Sequence, residues 1–195
     1  CSIAHGRPRP LDPEEPRQLV EAALAMGLAH VVITAVDRDD LPDGGAAGFV
    51  ACIAGLRGLE RPPTVEVLTP DFRGDMTAVD RIIAAGPEVY NHNVETVPRL
   101  YRQVRRSGRY EWALNVIARV AATAPGMLRK SGLMVGLGET RDEVLEVLAD
   151  LRDAGCQVVT IGQYLRPTPQ QVEVARYWTP EEFAELEQAG TALGL

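Results

Sequence analysis

Ser131-Gly132-Leu133-Met134-Val135-Gly136-Leu137-Gly138-Glu139-Thr140 begins as an apolar run, crosses closely spaced glycines and ends where a helical pattern starts. Strand, turn and helix in that order make the unit of a parallel α/β fold. Apolar residues at positions 144, 145, 147, 148 and 151 give the following helix, Thr140 to Ala154, one buried face. Glycines at 132, 136 and 138 permit positive φ or close approach of backbone to a ligand. Their spacing is not Gly-x-Gly-x-x-Gly, and no Gly-Lys-Ser/Thr follows, so neither a dinucleotide fingerprint nor a phosphate loop is present here.

The same unit recurs along the chain. Asp12-Pro13 reads as an N-cap and first helical position, opening a helix that runs to Gly27. His30 to Val36 is short, β-branched and nearly all apolar, which predicts a strand covered on both faces. A helix follows over 46–59, then a strand over Thr64 to Thr69 and a helix over Asp75 to Ala85. Glu88 to Glu95 is the next strand, followed by Val97 to Tyr101, an arginine-rich connection and a helix over Tyr110 to Thr123. Leu128 to Leu137 and Cys156 to Leu165 are the last strands, and Thr179-Pro180-Glu181-Glu182 opens a terminal helix. Right-handed crossovers would curve such a parallel sheet. Five units are too few for a closed eight-stranded barrel, which takes about 250 residues. The expected fold is therefore α/β, a partial barrel or one missing its first strand before Cys1, in one domain over 1–195.

Composition narrows the function classes. A net charge of −7 excludes a broad nucleic-acid surface, leaving Arg105-Arg106 and Arg109 as the dense basic cluster, either solvated or facing an acidic partner. Nineteen arginines against the single Lys130 point to a GC-rich bacterial genome. No run approaches the roughly 20 apolar residues of a membrane span, and no signal peptide opens the chain. Three cysteines without Cys-x-x-Cys make a disulfide framework a poor reading. Cys52 and Cys156 fall on apolar segments and read as buried small hydrophobes. A chain that opens on Cys1 without Met is expected to have been cut or trimmed.

Ligands of parallel α/β folds bind at the carboxyl ends of the strands. The first end is Asp37-Arg38-Asp39-Asp40-Leu41-Pro42-Asp43-Gly44-Gly45, either a solvated loop with Asp43 as helix cap or a cradle for a cationic group. Leu41 and Pro42 break the ligand alternation of an EF-hand. The second is Pro70 to Gly74. The third, Asn91-His92-Asn93-Val94-Glu95, would put Asn91, Asn93 and Glu95 on one face if it alternates. Two amides and a carboxylate there suit a polyhydroxy ligand such as ribose, since burying them unpaired is costly. His92 is read as a hydrogen-bonded core histidine, with metal ligand or base as the alternative. The fifth end is Gln163-Tyr164-Leu165-Arg166-Pro167.

Taken together these motifs resemble the lipoyl synthases of the radical S-adenosylmethionine superfamily. The residues that carry the resemblance are Cys1 with Gly6-Arg7-Pro8, Val36 to Gly45, Asn91 to Tyr101, Lys130 to Thr140, Gly162 to Pro167, and Arg176-Tyr177 with Thr179 to Phe183. The resemblance implies a TIM-barrel-like partial barrel of radical S-adenosylmethionine type, lacking its first strand and truncated at both ends. It implies a core [4Fe-4S] cluster, with Cys1 as the last of its three cysteine ligands, and an auxiliary [4Fe-4S] cluster that supplies two sulfur atoms. Reductive cleavage of S-adenosylmethionine would give a 5′-deoxyadenosyl radical acting on an octanoyl chain on a carrier-protein lysine. By resemblance, Asp37, Arg38 and Asp40 in the 37–45 loop receive the methionine end of the cofactor, and Asn93 and Glu95 the ribose region, with Asn91 also expected to bind the cofactor. Gly136 and Glu139 belong to the adenosine wall, Gly132 to Glu139, with Lys130 beside it also expected to bind the cofactor, and Gln163 to Leu165 back the adenine. Implied partners are an octanoylated lipoyl-domain or carrier protein and an electron donor such as flavodoxin or ferredoxin, in bacterial cytoplasm, with no nucleic acid and no membrane.

The other core cysteines, the auxiliary-cluster cysteines and the C-terminal serine ligand of the family fall outside the chain. The fragment by itself is therefore expected to hold neither cluster stably and to be inactive. Pro169 to Val174 also departs from the family wording. A biotin-synthase-like sulfur-inserting enzyme and a cluster-free α/β binding domain are the alternatives. Cysteines three and seven positions before Cys1 would exclude the latter.

Overall fold

The computed structural model describes residues 8 and 10–195. The expected metal ligand Cys1 lies outside the described residues.

Five strands form one sheet in sequential order: β1 (His30–Thr34), β2 (Thr64–Leu68), β3 (Val89–Asn91), β4 (Leu128–Val135) and β5 (Val158–Gln163). Every neighbouring pair is parallel. Helices α1 (Glu15–Met26), α2 (Ala46–Arg57), α3 (Met76–Ala85), α5 (Tyr110–Thr123), α6 (Arg141–Asp153) and α7 (Pro180–Leu193) alternate with them, and α4 (Tyr101–Val104) is one short turn. Sequential order with right-handed crossovers puts the crossover helices on one face. Their apolar stripes meet the strands there. Val31, Ile33, Val65, Val67 and Tyr90 pack with α2, α3 and α5 in one cluster. Leu133 and Val135 pack with α5, α6 and α7 in a second.

The opposite face is not apolar, which corrects the reading of the first strand. Val31 and Ile33 are 8% and 7% exposed while Val32 between them is 52% exposed, so β1 alternates and only its helix-facing side is covered. Register carries this pattern across the sheet, setting Val32 beside Glu66, Asn91 beside Lys130 and Gly132 beside Thr160.

Two element boundaries moved for local reasons. Asp12 does not cap α1. Its Oδ1 accepts from Glu14 N at 2.9 Å and its carbonyl from Glu15 N at 3.1 Å, and this turn hands the helix start to Glu14 with Pro16 in the first turn. β3 ends at Asn91, not Glu95. The chain makes an excursion over 92–94 and returns at Glu95, which bridges Leu133 and holds φ at 66°.

Candidate functional site

Two cavities open at the carboxyl end of the sheet. The first, of about 190 Å³, lies between the loops after β1 and β2, with Asp37, Arg38, Asp39, Asp43, Asp71 and Arg73 in its lining. Arg38 and Asp40 face one another as a fork, Nε to Oδ1 at 2.8 Å and Nη2 to Oδ2 at 2.9 Å, which holds the Asp40 carboxyl below its usual range. Asp43 caps the next helix, as one reading of this loop expected, accepting from Gly45 N at 3.0 Å and Ala47 N at 2.9 Å. Partial desolvation raises the Asp37 carboxyl, with Arg105 opposing the shift.

The second cavity, of about 260 Å³, is lined by Asn93, Glu95, Gly132, Met134, Thr160 and Gln163 among others. A side chain at Gly132 would come within 2.7 Å of Asn93 Oδ1 and 3.0 Å of Thr160 Oγ1, so glycine keeps this polar recess open. Burial raises the Glu95 carboxyl, while Arg105 and a hydrogen bond from Asn93 pull it back.

Arg105 bridges the two cavities. Its Nη1 donates to the Asn93 carbonyl at 3.1 Å, and its Nη2 pairs with Asp71 Oδ2 at 3.1 Å. In sequence it is one of three neighbouring surface arginines, and nothing local marks it out. Only the tertiary fold brings residues 71, 93 and 105 together.

Asn93, Glu95 and Gln163 therefore meet in one cavity, and Asp37 and Arg38 in the other. Asn91 and Lys130 line neither. Both turn to Glu66 on the open face of the sheet, where Asn91 Nδ2 donates to Oε1 at 2.9 Å and Lys130 Nζ at 3.0 Å. His30 Nε2 lies 3.7 Å from the same carboxylate. Of the three residues expected on one face, 93 and 95 thus share a cavity and 91 does not, because the strand ends at 91. Glu66 sits mid-strand, where its polar character alone gives no hint of three converging groups.

The glycine turn after β4 serves the chain's own packing at two of its expected positions. A side chain on Gly136 would overlap Gln163 Nε2 at 2.2 Å and the Arg176 carbonyl at 2.7 Å. Glu139 does not face a cavity. It is 5% exposed and accepts from Gly136 N at 2.6 Å, Leu137 N at 2.9 Å and Trp178 Nε1 at 2.9 Å. The helix cap is Thr140, in a capping box with Glu143. Gln163 is held by Trp178 N, 2.9 Å from its Oε1, and Leu165 is 67% exposed beyond the strand end.

Fit to the implied groups differs. The recess beside Gly132, with acceptors from Asn93, Glu95 and Thr160, suits a nucleoside. The described residues do not suit a cluster: among them no group of three His, Cys, Asp or Glu could hold a metal. Cys52 and Cys156 are buried free thiols, as the sequence suggested, and desolvation raises both above the range in which thiolates form readily. No helix among the described residues is long and apolar enough to cross a membrane.

A model of the Radical SAM superfamily matches residues 1–167. Lipoyl synthase of Caldanaerobacter subterraneus subsp. tengcongensis is 54% identical over 194 residues, covering 100% of this chain and 68% of that protein. The chain belongs to the radical SAM superfamily, and within it to the lipoyl synthases. Lipoyl synthases of Methylococcus capsulatus and Xylella fastidiosa are 54% and 52% identical, again over 100% of this chain, of which it covers 61% and 53%. The chain thus spans about half to two thirds of the length of these curated relatives.

The fold of this radical SAM chain agrees with solved structures. HydG, a maturase of the [FeFe]-hydrogenase, matches with a TM-score of 0.72 at 17% identity, over 95% of this chain and 44% of that one. Methylornithine synthase matches at 0.70 and 15% identity, over 100% and 62%. The open five-stranded sheet is consistent with the partial barrel expected from the sequence.

Proposed function

We propose that this chain is the catalytic-domain part of a lipoyl synthase, an enzyme that inserts two sulfur atoms into a protein-bound octanoyl-lysine chain. The observation that carries the reading is the convergence of Asn93, Glu95, Gly132, Thr160 and Gln163 on one recess, in a chain 54% identical to a lipoyl synthase. S-adenosylmethionine at a [4Fe-4S] cluster supplies the hydrogen-abstracting radical when bound.

The chain's own residues hold and orient that cofactor. Glu95 and Asn93 receive the ribose hydroxyls, and Gly132 admits the nucleoside against the sheet. Gln163 and Leu165 back the adenine. Asp37 and Arg38 lie at the methionine end, with Asp40 setting the Arg38 fork. Arg105, whose charge opposes the burial-driven rise of the Glu95 carboxyl, ties its loop to Asp71 and to the Asn93 carbonyl. The octanoyl chain arrives on a carrier protein, and the reductant is a small protein such as flavodoxin or ferredoxin, in the bacterial cytoplasm.

The test uses the full protein, reconstituted anaerobically with iron and sulfide and given S-adenosylmethionine, dithionite and an octanoyl-lysine peptide. Lipoyl-lysine and 5′-deoxyadenosine are the expected products. Formation of neither refutes the reading.

A further inference from the structure

Most exposed arginines of this acidic chain are neutralised by a neighbouring carboxylate, as in the pairs Arg17–Glu14, Arg57–Glu88, Arg99–Glu143, Arg119–Asp80 and Arg176–Glu182. Arg129 is buried on backbone carbonyls. Among the described residues, Arg61, Arg73, Arg102, Arg106 and Arg109 have neither kind of partner. Arg61 precedes β2, at the amino end of the sheet. The other four gather at the carboxyl end, beside the cavities.

Their placement follows from three contacts. Arg105 anchors the turn after α4 to Asp71 and to the Asn93 carbonyl, and so to the rim of both cavities. Arg109 lies over the Trp112 ring, 4.8 Å from its centroid. Trp112 in turn faces Gly74, where an added side chain would meet its Nε1 at 3.1 Å. This sets the Phe72–Gly74 turn, with exposed Arg73, against the start of α5. Residues 97–109 hold five arginines and no carboxylate. Glu95 and Glu111 flank this stretch, each two residues from its ends, and Asp71 and Asp75 flank Arg73.

We propose that Arg73, Arg102, Arg106 and Arg109 form the docking rim for an acidic carrier domain, whose acylated lysine enters the adjoining cavities. The inference rests on the proposed function. A substrate chain tethered to a folded domain reaches the cavities only if that domain sits at their mouth. Four unneutralised guanidinium groups there, on a chain of net charge −7, would steer a carboxylate-rich surface to the 97–109 side of the cavities and away from the aspartates that line the first one. Planar guanidinium groups also suit bidentate pairing with carboxylates.

The test compares the full reconstituted protein with its R106E/R109E and R106Q/R109Q variants, using dithionite as reductant. Two substrates are used, an octanoylated carrier domain and a short octanoyl-lysine peptide without acidic residues. KM for the domain is expected to rise about tenfold in the charge reversal and less in the neutral variant, with kcat unchanged. Peptide turnover should be unaffected, which also reports that the variants fold. Added salt should raise the wild-type KM for the domain towards the variant value. An unchanged KM overturns the inference. So does a defect seen only when flavodoxin replaces dithionite, which would assign the rim to the reductant, or an equal loss with the peptide. If the wild type fails to convert the peptide, the proposed function itself falls and takes the carrier with it.

Discussion

Glu139 shows how a residue beside a ligand cavity can belong wholly to the scaffold. Its carboxylate satisfies three donors from two segments, the Gly136-Leu137 turn and Trp178. Trp178 also receives the Arg176 guanidinium over its ring, 4.0 Å from the centroid. Removing the carboxylate leaves those buried donors without partners, at about 1–3 kcal/mol each where water cannot reach. Glu139→Ala is therefore expected to lower stability by about 3 kcal/mol or more, and Glu139→Gln by roughly half of that, because one amide oxygen remains as acceptor. Urea denaturation of the two variants checks the order. Equal, small losses in both would show that the carboxylate is dispensable to the turn.

The excursion after β3 is an element with its own titration. His92 is fully buried, its Nδ1 lies 2.8 Å from the Thr69 carbonyl, and its Nε2 has no partner. Burial, together with the nearby Arg105 charge, pushes its pKa down to about 4. The unfolded chain takes up a proton near pH 6.5, while the folded chain does not until about pH 4. Stability contributed by neutral His92 is thus full above pH 6.5 and is lost as pH falls through that window, by about 3 kcal/mol in all. His92→Asn, which keeps a donor for the Thr69 carbonyl, is expected to flatten this part of the stability–pH curve. If denaturation midpoints between pH 7 and 4 run parallel in the two proteins, the histidine titrates normally.

The same element shows what was legible in the sequence. The strand–helix order and the five-unit count could be read because apolar periodicity is local, and the polar strand ends because they interrupt it. The end of β3 could not, since His92 to Glu95 keep an alternating burial pattern even as the backbone leaves the sheet. His92 and Val94 are buried on either side of Asn93. Arg105 and Glu66 were missed for a related reason. Each draws its meaning from partners on other strands or loops, and a single sequence carries no record of those pairings. The glycine turn misled in the opposite direction: close approach at Gly136 is real, but to Gln163 and Arg176.

At the scale of the whole molecule, all the apolar covering lies on one side of the sheet. The other side carries the Glu66 network and exposed apolar residues such as Val32 and Leu128, at 52% and 37%. Among the described residues β1 pairs only with β2, so its outer edge offers backbone donors and acceptors to a second chain. Exposed apolar residues beside an open edge favour association between copies. The 195-residue chain on its own is accordingly expected to self-associate with rising concentration, seen by sedimentation velocity. Val32→Lys should weaken this without unfolding the protein, because its register neighbour is Glu66, which can pair with the new ammonium. The charge would also sit on the edge strand, where lysine opposes strand addition. Identical sedimentation of the two proteins would remove β1 as the route of association and shift attention to the exposed Leu24 and Met26 of α1.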